Sequence, residues 1–227
     1  MDMMTASDLN KTYRLGNENF PILKNVSLSV TQGEFLVIQG NSGSGKTTLL
    51  SLLSGLDRPT SGQVLIDGRD ITRMTEDELA PLRNITFGFV FQSFHLVPSL
   101  TAIENVMFPA ELNGDSKARE KAVRLLERVG LQNRWANFPH QLSGGEKQRI
   151  AICRALINDP KILFADEPTG NLDSESGQAV LTLLSGLRSE KGAALILVTH
   201  SPEIARAADR VIRLRDGAIL TEVRHDS

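Results

Sequence analysis

Short apolar runs alternate with amphipathic stretches along most of this chain. Phe35-Leu36-Val37-Ile38, Phe87-Gly88-Phe89-Val90-Phe91, Ile162-Leu163-Phe164-Ala165 and Leu195-Ile196-Leu197-Val198 are each brief and continuous. Uninterrupted runs of that length predict buried strands. Helical stretches stand between them, and that alternation predicts a parallel sheet covered on both faces. The first thirty or so residues and Gln63-Val64-Leu65-Ile66-Asp67-Gly68 follow a different rhythm. They predict short alternating strands with turns, an antiparallel patch against the parallel core. From Ser99 to Leu156 no strand signal intervenes, and Ala118 to Val129 is strongly charged and periodic. This predicts a helical insertion between two sheet strands. Val211 to Arg215, then Asp216-Gly217, then Ala218 to Leu220 predict a closing hairpin with a two-residue turn.

Composition narrows the picture modestly. At 227 residues the chain is long enough for one large domain, or a core with a small subdomain. With 25 basic against 27 acidic residues no basic face is forced, so nucleic acid is not expected as the main partner. The single cysteine, Cys153, cannot form an internal disulfide, which fits a reducing compartment. It lies in the helical stretch Arg149 to Leu156 and is expected to be a small buried hydrophobe. The first residues lack a basic region followed by an apolar one, so no signal peptide is expected. Apolar stretches such as Ala193 to Val198 fall far short of the roughly 20 residues a spanning helix needs. A soluble chain is expected, with any membrane role arising through a partner.

The densest chemistry is Gly40-Asn41-Ser42-Gly43-Ser44-Gly45-Lys46-Thr47, a full match to G-x-x-x-x-G-K-[ST]. Glycines let the backbone turn without a Cβ in the way, so several N–H groups can converge on one anion. Lys46 adds a charge for the β- and γ-phosphates, and the Thr47 hydroxyl can take one position on Mg²⁺. The apolar run before the loop and the helical run Thr48 to Leu53 after it give strand, loop, helix, which aims the helix start at the phosphates. A Gly/Ser linker fits poorly between two apolar segments.

Other polar groups fall at ends of predicted strands. Leu163-Phe164-Ala165-Asp166-Glu167 ends in two carboxylates, where open α/β sheets bind ligands. One suits Mg²⁺ and the next suits polarising an attacking water, against the plainer reading of a solvated loop. His200 ends another apolar strand, placed to contact a γ-phosphate. Gln92 follows the strand Phe87 to Phe91 and could offer an amide oxygen to Mg²⁺ or water. His95, His140 and His225 have no comparable placement. Leu142-Ser143-Gly144-Gly145-Glu146 is ambiguous. Ser143 and Glu146 make a capping box, which does not explain two consecutive glycines. Glycines there would also open a second anion site at a helix start.

The order of phosphate loop, Gln92, Leu-Ser-Gly-Gly-Glu, Ala-Asp-Glu-Pro, Asn171-Leu172-Asp173 and His200 resembles the ATP-binding cassette of ABC transporters over nearly the whole chain. That resemblance implies an α/β P-loop NTPase fold with a mostly parallel sheet core and an antiparallel β patch. It implies a single nucleotide-binding domain over residues 1–227, with a helical subdomain over about 93–158. ATP and Mg²⁺ are the implied cofactors. Tyr13 matches the aromatic that stacks on adenine, with Phe20 its rival, and residues 40–48, ending at Thr48, match the phosphate cradle. Gln92 matches the Q-loop glutamine, and Ser143, Gly144 and Gly145 the signature that contacts ATP held by the opposite subunit. Asp166 matches the Mg²⁺ aspartate, sharing the ion with Thr47 and Gln92. Glu167 matches the catalytic glutamate, assisted by Lys46, Gln92 and His200, and Asp173 matches the D-loop. Glu146 stands where many cassettes have Gln, a common variant.

The wording around Gln92 and around Asp166 to Asp173 is similar to the branch holding lipoprotein-releasing, macrolide-exporting, peptide-resistance and cell-division ATPases. The resemblance implies a competent ATPase that closes as a head-to-tail homodimer on ATP and drives an integral membrane permease. It would sit peripherally on the cytoplasmic face of the inner membrane. A cassette without a transporter, acting in translation or chromosome handling, is the alternative. Single-cassette length and the lack of sustained heptads speak against it. The apolar connection Ser93 to Leu100 is expected either to pack the insertion's own core or, with residues up to 110, to form a cleft for a helix of the membrane subunit.

Overall fold

The computed structural model describes residues 2–225, side chains at 187, 189 and 191 excepted. The chain forms two compact units, Met1–Arg83 with Ala193–Ser227, and Asn84–Gly192.

The first unit carries an antiparallel sheet and a mainly parallel one. β1 (Asp2–Leu15) and β2 (Glu18–Thr31) pair antiparallel, and β1 pairs β4 (Ser61–Ile66) on its other edge. β4 continues to the two-residue β5 (Arg69–Asp70). These are two long strands where several short ones were expected, and bulges account for the difference. The register shifts between Ala6 and Leu9, where Asp8 takes a positive φ of 49°. A bulge puts an extra residue in one strand and resets which side chains point inward, so the alternation breaks while the strand continues. Met4, Ala6 and Leu9 are all fully buried across this shift.

Parallel pairing joins β3 (Phe35–Gln39) to β8 (Ala194–Val198) on one side and to β9 (Arg210–Arg215) on the other. β9 turns back into β10 (Ala218–Arg224). The turn residues Asp216 and Gly217 have φ of 49° and 81°. Both are left-handed, as a type I′ hairpin requires. α1 (Lys46–Leu53) follows β3 through the glycine loop and buries Leu49, Leu50, Leu52 and Leu53. α2 (Glu76–Thr86) leads into the second unit, and the short α7 (Pro202–Arg206) follows β8.

The second unit holds the parallel pair β6 (Phe87–Phe91) and β7 (Ile162–Asp166). Between them lie α3 (Ala102–Leu112), α4 (Ala118–Arg128), a 3-10 turn at Pro139–Gln141 and α5 (Gly144–Leu156). α6 (Ser174–Lys191) follows β7. The helices pack a core of Ile103, Val106, Ala122, Leu126, Leu131 and Ile150, with Cys153 inside it. Burial pushes the Cys153 thiol up to about 12, so it stays protonated and acts as a hydrophobe. Asn105, 1% exposed, tidies the connection into α3. Its amide nitrogen donates to the carbonyls of Val97, Leu100 and Thr101, and its oxygen accepts from Val97 N–H at 2.7 Å.

One buried cation ties the strands of the first unit together. Arg210 donates from Nε to Glu34 at 2.6 Å, from Nη1 to Glu222 at 3.1 Å, and from Nη2 to the Ser29 carbonyl. Its side chain is 5% exposed and that of Glu34 12%. Removing one partner of a buried pair leaves the other charge uncompensated, a loss of about 3–5 kcal/mol. Arg210→Ala is expected to lower the unfolding free energy by that amount in a urea titration. A loss under about 1 kcal/mol would mean the pair behaves like an exposed salt bridge.

Candidate functional site

The site residues fall in both units. In the first, β3 feeds the loop at Gly40 and α1 leaves it at Lys46. A Cβ at Gly40 would lie 2.3 Å from the Leu214 carbonyl oxygen and 2.5 Å from Ser44 Oγ, so only glycine fits. Gly45 begins α1 with φ of 98° and offers no side-chain cap. α3, α5, α6 and α7 start differently: Thr101, Ser143, Asp173 and Ser201 each accept a backbone N–H at the helix start. The first N–H groups of α1 are left for an outside acceptor, and a helix start favours an anion.

The rest of the loop has the same character. Lys46 Nζ curls back to donate to the carbonyls of Gly40 at 2.9 Å and Asn41 at 3.0 Å. Ser44 is buried, and its Oγ has no hydrogen-bond partner. Residues 40–44, His200 and the segment Arg213 to Asp216 line one cleft of about 610 Å³. An uncapped helix start, an orphaned hydroxyl and an ammonium held on loop carbonyls fit a polyphosphate. Among the described residues no group of three or more His, Cys, Asp or Glu is placed to hold a metal. The expected Mg²⁺ donors, Thr47, Gln92 and Asp166, are a hydroxyl, an amide and one carboxylate. Thr47 lies in the first unit and Gln92 and Asp166 in the second, and each is an oxygen donor of the kind Mg²⁺ takes.

Tyr13 and Phe20 are direct cross-strand partners of the β1–β2 hairpin, 43% and 42% exposed. Tyr13 carries a polar tie that Phe20 cannot make: its hydroxyl donates to Asp57 at 2.7 Å.

In the second unit Asp166 ends β7 opposite Phe91 of β6, so Asp166 and Gln92 leave neighbouring strand ends. Glu167 follows with φ of 45°. A non-glycine residue there costs on the order of 1–3 kcal/mol and is held by its surroundings. Part of that hold is the bond from Gly170 N–H to the Glu167 carbonyl at 3.0 Å. The Gln92 side chain lies against Gly170, where a Cβ would stand 2.8 Å from Nε2. Gln92 Nε2 donates to Asn171 Oδ1 at 3.2 Å, and Asn171 Nδ2 returns a bond to the Gln92 carbonyl at 3.0 Å. Sequence reasoning did not give Asn171 this role, since a partner seventy-nine residues away leaves no local signal.

Asp173 caps α6, accepting from Ser176 N–H at 2.9 Å, and that bond holds its carboxyl below the usual range. Ser143 and Glu146 form both halves of a capping box, at 3.3 and 2.8 Å. Glu146 also accepts from Arg134 at 3.0 Å. The second glycine has a packing reason as well. A Cβ on Gly145 would crowd Ser176 Oγ at 3.2 Å, whereas one on Gly144 would make ordinary contact with Leu172 at 3.4 Å. Phe94 and His95 both take positive φ, and Arg154 donates to their carbonyls at 2.8 and 2.5 Å. Arg154 too was invisible in the sequence, because nothing local distinguishes it from a solvated helix arginine.

Comparison with known proteins agrees with this geometry. The family model described as ABC transporter matches residues 23–170. The chain is 51% identical, over 98% of its length, to the macrolide export ATP-binding/permease protein MacB of Syntrophobacter fumaroxidans. It spans about a third of the length of the macrolide-export relatives it matches. It is 48% identical to an uncharacterized ABC transporter ATP-binding protein of Bacillus subtilis, covering 99% of this chain and 98% of that one. Among solved structures it resembles the dimeric ATP-binding cassette MJ0796 in a post-hydrolysis state bound to ADP and Pi. The TM-score is 0.91 at 42% identity, covering 99% of this chain and all of that one. A family match over most of the chain, on a P-loop α/β fold with parallel and antiparallel strands, places this chain in the ABC transporter family as an ATP-binding cassette.

Proposed function

We propose that this chain binds and hydrolyses ATP with Mg²⁺ as the nucleotide-binding part of an ABC transporter, and that two copies close head to tail on the nucleotide. The observation that carries the reading is the start of α1, uncapped and set beside the orphaned Ser44 hydroxyl and the Lys46 ammonium. The solved cassette named as a dimer with ADP and Pi supports nucleotide and pairing alike. Relatives that join ATP-binding and permease functions support an integral membrane partner over a role in translation or chromosome handling. Among the described residues no helix is long and apolar enough to cross a membrane. We place the cassette peripherally, at the cytoplasmic face of the cell membrane beside that partner.

Residues 40–48 would cradle the phosphates, with Lys46 exchanging its loop carbonyls for phosphate oxygens. Bound Mg²⁺ supplies charge neutralisation of the phosphoryl oxygens, and Thr47, Asp166 and Gln92 would hold it. Glu167 accepts the proton of the attacking water, and His200 contacts the γ-phosphate end. Ser143, Gly144, Gly145 and Asp173 serve the nucleotide of the opposite copy. Glycine N–H groups beside a helix start suit that task, even with the Ser143 hydroxyl engaged as a cap. Tyr13 stacks on the base.

Glu167→Gln keeps the shape and loses the base, so the hydrolysis rate is expected to fall by a factor of about 10²–10⁴ with ATP binding intact. An ATP-bound dimer should accumulate on size exclusion. Hydrolysis at the wild-type rate would assign the base elsewhere. Lys46→Ala should instead weaken ATP binding itself, and normal binding by that variant would remove Lys46 from the phosphate site.

Tyr13→Ala is expected to weaken ATP by roughly 1–3 kcal/mol, the scale of base stacking on an aromatic. GTP should substitute tolerably, since stacking reads a π-face. If Phe20→Ala raises KM while Tyr13→Ala does nothing, the platform is Phe20.

The connection after Gln92 divides its apolar residues. Leu96 and Met107 pack on the helical core, whereas Val97, Phe108 and Leu112 are exposed. Phe108 and Leu112 are one turn apart on α3 and share a face. We assign that face to a cytoplasmic helix of the membrane partner. Phe108→Glu should abolish co-purification with the partner in mild detergent and leave basal ATP hydrolysis intact. Loss of both together would mean Phe108 is needed for folding.

A further inference from the structure

Tyr13 is exposed on a hairpin, yet it is not free to swing. Its hydroxyl donates to Asp57 Oδ2 at 2.7 Å, and Asp57 Oδ1 accepts from Lys11 Nζ at 2.7 Å. Lys11 Nζ also donates to the Arg58 carbonyl at 2.7 Å, and the Arg58 N–H donates to Asp57 Oδ1 at 2.7 Å. Both oxygens of the Asp57 carboxylate therefore have defined partners. The Lys11 ammonium sits 4.7 Å from the centroid of the Tyr13 ring, with its side chain 11% exposed. A cation over an aromatic face is attracted by the ring quadrupole. One face of the ring is therefore held by the protein.

The cluster also reaches the end of the phosphate helix. Asp57 sits just past α1, where its N–H donates to the Ser51 carbonyl at 3.1 Å. The strand that carries the aromatic is thus pinned to the chain just beyond the end of the helix that carries the phosphate cradle. All of these residues lie in the first compact unit. Charge within the cluster is consistent with this order. Burial tends to push the Asp57 carboxyl up, but hydrogen bonds from Lys11 and Tyr13 outweigh it and hold it below the usual range. Burial and then the Asp57 carboxylate raise the Tyr13 phenol.

We infer that Asp57, itself held by Lys11, is a positioning residue for the nucleobase. It fixes the Tyr13 ring at a set distance from the phosphate loop, so that a nucleoside di- or triphosphate meets both ends of its site already built. The inference rests on the reading of Tyr13 as the base platform. Its energetic content is pre-organisation: a ring that is already ordered does not lose freedom when the base arrives.

The test uses the full chain and Mg·ADP binding followed by calorimetry, which needs no hydrolysis. Asp57→Ala is expected to bind ADP roughly two- to tenfold more weakly, the range that ordering one side chain on binding spans. Its kcat at saturating ATP should be unchanged, with the loss appearing in KM. Tyr13→Phe, which keeps the ring and deletes only the hydroxyl, should weaken ADP by a similar factor. The double variant should lose no more than either single one, because both break the same link. Tyr13 is the sole tyrosine of the chain, so a ζ-¹³C-tyrosine label gives one resonance that reports its hydroxyl directly. That resonance should move in Asp57→Asn without nucleotide present.

If Tyr13→Ala binds ADP normally, the platform reading itself is wrong. If Tyr13→Ala weakens ADP while Asp57→Ala and Tyr13→Phe bind as wild type, the platform stands and the positioning role is overturned. Additive losses in the double variant would also overturn it. Should Asp57→Ala fail to fold, Tyr13→Phe alone decides, since deleting one exposed hydroxyl leaves the core untouched.

Discussion

A helix that starts without a side-chain cap leaves backbone donors that something must satisfy, and at Lys46 the whole site grows from that demand. The loop before α1 cannot supply a cap, because Gly45 has no side chain and sits in the left-handed region. Nor is there room for a side chain at Gly40, where a Cβ would lie 2.3 Å from the Leu214 carbonyl oxygen and 2.5 Å from Ser44 Oγ. What remains is a set of N–H groups at the helix start, one buried hydroxyl and one lysine that donates to loop carbonyls. An anion satisfies all of them at once, and little else would.

The contrast with α5 and α6 shows how the same physics can be spent in another way. Their starts are capped by Ser143 and Asp173, so their donors are largely met within the chain. The glycine at 145 admits Ser176 at a distance a Cβ would crowd. The capping box and the glycine are therefore not competing explanations. One sets where the helix begins, and the other sets how closely the start of α6 can approach it. The Glu146 side chain, shared between the box and Arg134, keeps that start fixed.

Long-range polar ties then hold the functional segments in shape within each unit. Arg210 braces the strands of the first unit, and Lys11 with Asp57 braces the Tyr13 hairpin against α1. In the second unit Asn171 holds Gln92, and Arg154 holds the carbonyls of Phe94 and His95, two adjacent residues in the left-handed region. Each tie places a charged or amide side chain on backbone that would otherwise be free to relax. In the second unit these ties define backbone at Gln92, Phe94 and His95, which lie outside helix and strand.

The sequence by itself determined whatever depends on neighbours a few residues apart. The four apolar strands, the phosphate loop with its glycines, the capping box at Ser143, the Asp216-Gly217 hairpin and the helical run from Ser99 to Leu156 are local patterns. Backbone sterics and the burial of one face give each of them a single good solution. The tertiary structure alone decided the rest. Bulges near Asp8 merged the expected short strands into β1 and β2, because pairing with two neighbours fixed the register there. Asn171, Arg154, Asp57 and Lys11 acquired their partners only when distant segments met. A hydrogen bond needs an acceptor at under 3.5 Å whatever its distance along the chain, and spacing in sequence carries no trace of that.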